Sequence, residues 1–156
     1  MQLKVVKFGG SSLSDTEHFM RVASIIKADP TRRYVVASAP GKRTDDDQKV
    51  TDMLYTCYNM IKNREDITDY YQKIVERYTG IISGLNLNFD ITGELEYIKS
   101  AMMARSGRDF AASRGEYLNS LILAKYLGFD FIDAENVIFF KDNGSFDEEK
   151  TNEAMK

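Results

Sequence analysis

A lysine, two glycines and two hydroxyl side chains stand together near the start of the chain, in the segment Lys7-Phe8-Gly9-Gly10-Ser11-Ser12. The apolar run over residues 3–8 predicts a short buried strand, and an amphipathic helix follows it. At such a turn backbone N–H groups attract anions, glycine allows a close approach, and lysine supplies a charge for phosphate oxygens. In a Walker loop the lysine follows the glycines, whereas here it precedes them. The segment predicts a phosphate-binding turn, and the alternative is a tight turn with an incidental surface lysine.

A second strand is predicted to bring Ser38 to the same place. Residues 14–17 have the form of a capping box at the start of the first helix, and Asp29-Pro30 ends that helix. Residues 34–38 then read as a strand, so apolar that we expect it to be covered on both faces. A strand-helix-strand unit makes the two strands parallel, and ligands bind at the carboxyl edge of such sheets. Ser38 is therefore expected near the phosphate-binding turn.

The segment over residues 40–49 is polar and contains three consecutive aspartates. It is either a metal or substrate loop or a solvated connection, and its composition favours the solvated connection. Thr51 is predicted to cap a largely buried helix over residues 52–63.

Two further helices are predicted after that one. The first follows Asp66 and carries three tyrosines at helical spacing. This indicates a packing face whose tyrosine hydroxyls reach solvent at its edge. Thr92 is expected to cap the second, and Ser106-Gly107 breaks the helical pattern after it.

A long helix then runs to a C-cap at Gly128. Gly115 inside this helix costs about 1 kcal/mol relative to alanine, so we expect a ligand or another backbone to approach it closely. Glu116 beside it is a candidate site carboxylate, although a solvated glutamate is the simpler local interpretation. Residues 129–132 and 137–140 are predicted as strands, and a last helix begins near Asp147.

Composition limits the possible functions. The chain has 156 residues and a net charge of −3, which fits one globular domain without general attraction for nucleic acid or an anionic membrane. One cysteine, Cys57, excludes an internal disulfide, and with no secretory signal the cytoplasm is expected. The one histidine, His18, gives no basis for a Ser-His-Asp triad or for a metal site made of protein ligands.

Three segments, in order along the chain, resemble the signatures of aspartate kinases in the amino acid kinase superfamily. They are residues 5–13 around the Lys-Phe-Gly-Gly sequence, residues 36–41 followed by the Thr51-Asp52 pair, and residues 113–116, Ser-Arg-Gly-Glu. The stretch over residues 131–144 is also similar to the corresponding family segment. The resemblance covers nearly the whole chain and implies a three-layer αβα sandwich with a mainly parallel central sheet, here incomplete.

This resemblance also implies the substrates and the residues that bind them. Lys7 would contact phosphoryl oxygens of ATP, with Mg²⁺ bound through the phosphates, and Gly9, Gly10 and Ser11 would surround them. Ser38, Thr51 and Glu116 would hold L-aspartate, with Glu116 at its amino group. The implied reaction is the phosphorylation of the aspartate side chain that begins lysine, threonine and methionine biosynthesis.

The sequence departs from the family in two respects. Residues 42–49 look inserted, so Thr44 rivals Thr51, which is preferred because a helix follows it directly. By the same resemblance, we expect the rest of the family's catalytic domain, including most of the adenine pocket, and the regulatory ACT domains to be absent from these residues. We therefore expect residues 1–156 to be the N-terminal portion of a catalytic domain, inactive alone, with an exposed sheet edge that favours a homo-oligomer. The alternatives are a sister kinase for acetylglutamate, glutamate or UMP, and a non-catalytic binding or assembly module.

Overall fold

The computed structural model describes residues 2–104 and 106–156. Within these residues the chain forms two β-strands, six α-helices and two short 3-10 helices. The strands are β1 (Lys4–Phe8) and β2 (Arg32–Ala37), and the helices are α1 (Thr16–Lys27), α2 (Val50–Lys62), α3 (Thr68–Gly84), α4 (Thr92–Met103), α5 (Arg108–Leu127) and α6 (Glu148–Ala154). The 3-10 helices are Gly10–Leu13 and Ala134–Asn136.

The two strands form a parallel pair, as the strand-helix-strand order predicts. Phe8 and Val35 pack against a single apolar core, and Ala37 is part of it. This core also contains the inner faces of α1 to α5. The predicted α/β class is therefore confirmed, with the parallel pair lying against a layer of helices.

The other face of the sheet is open, which corrects the expectation that both faces are covered. Val5 is 71% exposed, and Tyr34 and Val36 on the neighbouring strand are 54% and 49% exposed. Successive side chains of a strand alternate between its faces, so these residues share the side opposite Phe8 and Ala37. None of the described helices covers this apolar side.

The predicted strands over residues 129–132 and 137–140 are wrong. The segment contains the 3-10 helix Ala134–Asn136 and one isolated antiparallel bridge, between Phe140 and Phe146. Asp133 accepts a hydrogen bond from the amide of Glu135, and this local bond favours a turn. β-branched and aromatic residues form a strand only where a neighbouring strand takes up their backbone groups, and that is a tertiary condition.

Three predicted caps are displaced by one or two residues. Asp15, rather than Ser14, caps α1 by accepting the amide of His18. Thr51 is not an N-cap, because α2 begins at Val50 with Lys49 in the cap position. Thr92 is not an N-cap either, because Ile91 is in the cap position of α4, and the Thr92 amide donates to Asp90. The predicted C-cap at Gly128 is confirmed, with φ of 71°.

Candidate active site

The carboxyl ends of β1 and β2 lie side by side. Phe8 pairs with Ala37, and the amide of Ser38 donates a hydrogen bond of 3.0 Å to the carbonyl oxygen of Phe8. Ser38 therefore follows β2 at the level where Gly9 follows β1, and the topological expectation for Ser38 is confirmed.

The turns that follow these strands pack backbone against backbone. The amide of Gly41 donates to the carbonyl oxygen of Gly10 at 2.8 Å. A Cβ atom on Gly10 would lie 2.7 Å from the carbonyl oxygen of Ala39, and one on Gly41 would lie 2.8 Å from the oxygen of Gly10. Real Cβ atoms essentially never come this close, so the contact requires glycine on both turns.

A cavity of about 490 Å³ lies at this edge of the sheet. Five of the seven candidate site residues line it, namely Gly10, Ser11, Ser38, Thr51 and Glu116. The other lining residues are Ala39, Pro40, Gly41, Lys42 and Lys49. Thr51 belongs to this set and Thr44 does not. Two lysines and one glutamate make the lining net positive, which suits an anionic ligand that also carries an ammonium group.

Lys7 and Gly9 are the two candidates outside the cavity lining. Lys7 pairs with Val36 in the sheet, and its side chain shares the open face with Val5 and Val36. Gly9 is exposed, and its carbonyl oxygen accepts the amide of Ser12 in the 3-10 helix. The catalytic role of Lys7 and the phosphate contacts of Gly9 therefore stay predictions.

Gly115 lets α5 approach the end of β2. A Cβ atom on Gly115 would lie 2.7 Å from Cβ of Ala39, so close approach of another segment is the reason for this glycine. The hydroxyl of Tyr78 donates to the Gly115 carbonyl oxygen at 2.9 Å, and burial raises the pKa of Tyr78 well above its usual value. Glu116, the next residue, is thereby held at the cavity.

Asn119, one helical turn after Gly115, fixes the backbone of Ser38. Its side-chain amide donates to the Ser38 carbonyl oxygen at 2.7 Å, and the residue is fully buried. Its Oδ1 atom has no hydrogen-bond partner among the described residues. An unpaired buried amide oxygen costs about 1–3 kcal/mol, so a gain in stability alone does not explain this asparagine.

Arg77 of α3 donates hydrogen bonds to the loop between Ser38 and Thr51. Its guanidinium donates to Asp47 Oδ2 at 2.8 Å and to the carbonyl oxygen of Gly41 at 2.7 Å. Arg43, on the exposed side, also donates to the Asp47 carboxylate. The hydrogen bonds from Arg43, with the nearby Arg77 charge, hold the pKa of Asp47 well below its usual value. The loop is mostly exposed, as the solvated interpretation expects, but Asp47 is anchored.

Neither Asn119 nor Arg77 was identified as a functional candidate from the sequence. Each interrupts an apolar helix face at a regular spacing: Arg77 lies three residues after Ile74 and four before Ile81, and Asn119 lies three before Ile122. A polar residue in such a position is the signal that could have found both.

Two features are absent from the described residues. No group of three or more His, Cys, Asp or Glu side chains there could hold a metal ion. None of the described helices is long and apolar enough to cross a membrane.

The fold is that of a known family. The sequence profile of the amino acid kinase family matches residues 2–155, and the chain belongs to that family. The chain is 33% identical over 144 residues to aspartokinase 3 of Bacillus subtilis, an alignment that covers 86% of this chain and 31% of that protein. The resemblance to aspartate kinases is thus confirmed in sequence.

Solved structures agree with this assignment. The crystal structure of aspartate kinase from Clostridium acetobutylicum superposes on this chain with a TM-score of 0.96 at 49% identity. The superposition covers 99% of this chain and 36% of that chain. E. coli aspartokinase III, in complex with aspartate and ADP, has the same fold, with a TM-score of 0.76 at 22% identity over 98% of this chain and 36% of that chain. The chain thus spans about a third of the length of these relatives.

Proposed function

We propose that this chain provides the acceptor-binding part of an ATP-dependent aspartate kinase, which converts L-aspartate to 4-phospho-L-aspartate. The observation that supports this most directly is the cavity at the sheet edge, because Ser38, Thr51 and Glu116 line it together with Gly10 and Ser11. The similarity to aspartate kinases supports aspartate among the possible acceptors.

The reaction needs no general base. A side-chain carboxylate with an ordinary pKa of about 4 is ionised at neutral pH and can attack directly. One carboxylate oxygen forms a bond to the γ-phosphorus of ATP while the bond from that phosphorus to the β–γ bridging oxygen breaks, and ADP leaves with the electron pair. Catalysis then consists of positioning the acceptor and neutralising charge on the transferred group.

The acceptor is held by the residues that line the cavity. The Glu116 carboxylate pairs with the substrate ammonium group, and the hydroxyls of Ser38 and Thr51 donate to its carboxylate oxygens. Asn119 and Gly115 act indirectly, since one fixes the Ser38 backbone and the other lets α5 bring Glu116 close.

The donor side is the turn after β1. The Gly10-Ser11 turn opens a 3-10 helix, whose first amides have no carbonyl partner within the helix and suit phosphoryl oxygens. Lys7 and Gly9 complete this side if the triphosphate extends from the cavity across the strand end. Mg²⁺, bound through the phosphates, supplies further charge neutralisation.

The greater length of the relatives indicates which parts of such an enzyme lie outside this chain. Because the chain spans about a third of these proteins, we expect the adenine pocket and any regulatory domains to lie outside residues 1–156 and the chain alone to be inactive. The open apolar sheet face is consistent with packing against further protein. A cytoplasmic, homo-oligomeric enzyme is the expected form.

The test is acyl-phosphate formation, trapped as the hydroxamate, and ADP release by the complete gene product. We expect turnover with aspartate, and a Lys7→Ala variant that keeps its fold but loses turnover at least about a hundredfold, the scale of one lost charge-stabilising group. Lys62→Ala, at an exposed lysine in the last turn of α2, is the control and should match the unmodified enzyme.

Acceptor choice separates this proposal from its rivals. Activity with acetylglutamate, glutamate or UMP and none with aspartate would assign a sister kinase. Unchanged aspartate turnover in Lys7→Ala would refute the proposed role of Lys7.

A further inference from the structure

One arginine inside the apolar helix layer bonds to three segments of backbone, one of which lines the cavity. Arg77 is 6% exposed, and its Nη2 atom donates to the carbonyl oxygens of Gly41 at 2.7 Å and Ser14 at 3.2 Å. Its Nη1 atom donates to the Asp47 carboxylate at 2.8 Å and to the carbonyl oxygen of Gln48 at 3.2 Å.

These acceptors lie on both sides of the proposed reaction. Ser14 directly follows the 3-10 helix that begins at Gly10, on the phosphate side. Gly41 lines the cavity itself, and Gln48 lies three residues before Thr51, on the acceptor side. A single planar group therefore fixes the distance between the two sides of the site.

Stability alone does not account for this buried arginine. Burial of a guanidinium carries a large desolvation cost, and apolar residues of similar size often stabilise such a position equally well. Burial lowers the pKa of Arg77, although the guanidinium remains charged. Its Nε atom has no hydrogen-bond partner among the described residues. The guanidinium is thus oriented for its contacts to the loop, although this orientation leaves one of its own donors without a partner.

We propose that Arg77, paired with Asp47, is a positioning residue that sets the geometry of the acceptor loop, residues 38–51, against the phosphate-binding turn. This inference rests on the proposed aspartate kinase function. Arg77 does not touch the substrate; it acts through the backbone of Gly41 and Gln48, which carry the loop from Ser38 to Thr51.

The test compares two arginines that share one carboxylate. Arg77 is buried and reaches the cavity loop, whereas the Arg43 side chain is half exposed and its only described hydrogen bonds go to Asp47. In Arg77→Met of the complete gene product, kcat/KM for aspartate should fall ten- to a hundredfold, as expected for a displacement of about 1 Å. Arg43→Met should stay within about threefold, because water replaces an exposed ion pair.

Separate measurements of KM and kcat distinguish a loss of positioning from a loss of folded enzyme. Three of the four hydrogen bonds go to the acceptor loop, so the KM for aspartate should rise more than the KM for ATP. Fewer folded molecules would lower the apparent kcat and leave both KM values unchanged. Arg77→Lys keeps the charge but lacks the planar fork, so its KM for aspartate should lie between those of the unmodified enzyme and Arg77→Met. Asp47→Asn should also raise the KM for aspartate, and it replaces Arg77→Met in the test if that variant does not fold.

Hydrogen exchange tests the same inference without turnover. The amide of Gly41, bonded to Gly10, and that of Val50, bonded to Pro40, should exchange faster in Arg77→Met, while the amides of α5 are unchanged. If the unmodified enzyme does not phosphorylate aspartate, the proposed function fails, and this exchange still decides whether Arg77 orders the loop. Unchanged loop exchange, an unchanged KM for aspartate, or an equal loss in Arg43→Met would overturn the inference.

Discussion

Gly115→Ala is expected to damage the site even though alanine is the better helix former. In an open helix the change stabilises by about 0.5–1 kcal/mol. At Gly115 the new Cβ would lie 2.7 Å from Cβ of Ala39, about 1 Å inside ordinary contact, and 3.4 Å from Leu54 Cδ1. Overpacking of this kind costs about 1–3 kcal/mol, so the net effect is a loss of about 0–2.5 kcal/mol in the free energy of unfolding.

The same contact links the loss of stability to function. Relief of the clash requires α5 or the Ala39 backbone to move by about 1 Å, which displaces Glu116 relative to Ser38 and lowers kcat/KM for aspartate about tenfold or more. Gly80→Ala is the matched control, because Gly80 lies inside α3 and a Cβ there meets nothing within 4 Å. Thermal and urea unfolding followed by circular dichroism, together with turnover, measure both effects. A Gly115→Ala variant that is stabilised as much as Gly80→Ala and keeps full activity would contradict both expectations.

Two further predictions concern titrating groups. The pKa of Asp47 in the folded state is depressed, mainly by the Arg43 hydrogen bonds. The ionised carboxylate therefore contributes its full stabilisation above about pH 4, and this is lost as the pH falls toward the folded-state pKa. The difference in unfolding free energy between the unmodified protein and Asp47→Asn should therefore shrink between pH 6 and pH 3, and a constant difference would contradict this. Burial raises the pKa of Cys57 to about 11. At pH 8 a disulfide reagent should thus react with it far more slowly in the native protein than in denaturant, and equal rates would contradict its burial.

The local elements were predictable because their signals lie within a few residues. The Lys7-to-Ser12 turn, the helix α1 and the C-cap at Gly128 each follow from adjacent side chains and backbone preferences. The meeting of Ser38 with the turn after β1 followed from topology, since one helix between two apolar strands implies a parallel pair. The close approach at Gly115 was also expected, although the sequence could not identify Ala39 as its neighbour.

The features that depend on distant partners were not predictable. Residues 137–140 have strand composition, but no neighbouring strand among the described residues takes up their backbone groups apart from the bridge at Phe140. The exposure of Val36 depends on what lies on the other side of the sheet. Arg77 and Asp47 are 30 residues apart, and only the packing of α3 under the loop brings them together.

We expect the cavity between Ser11, Ser38, Thr51 and Glu116 to hold the acceptor next to the phosphate-binding turn. The most direct measurement is a crystal structure of the complete gene product with L-aspartate and a non-hydrolysable ATP analogue. We expect the substrate ammonium within about 3 Å of the Glu116 carboxylate and the γ-phosphate at the amides of Gly10 and Ser11. Aspartate bound elsewhere, or a triphosphate remote from the Gly10 turn, would contradict it.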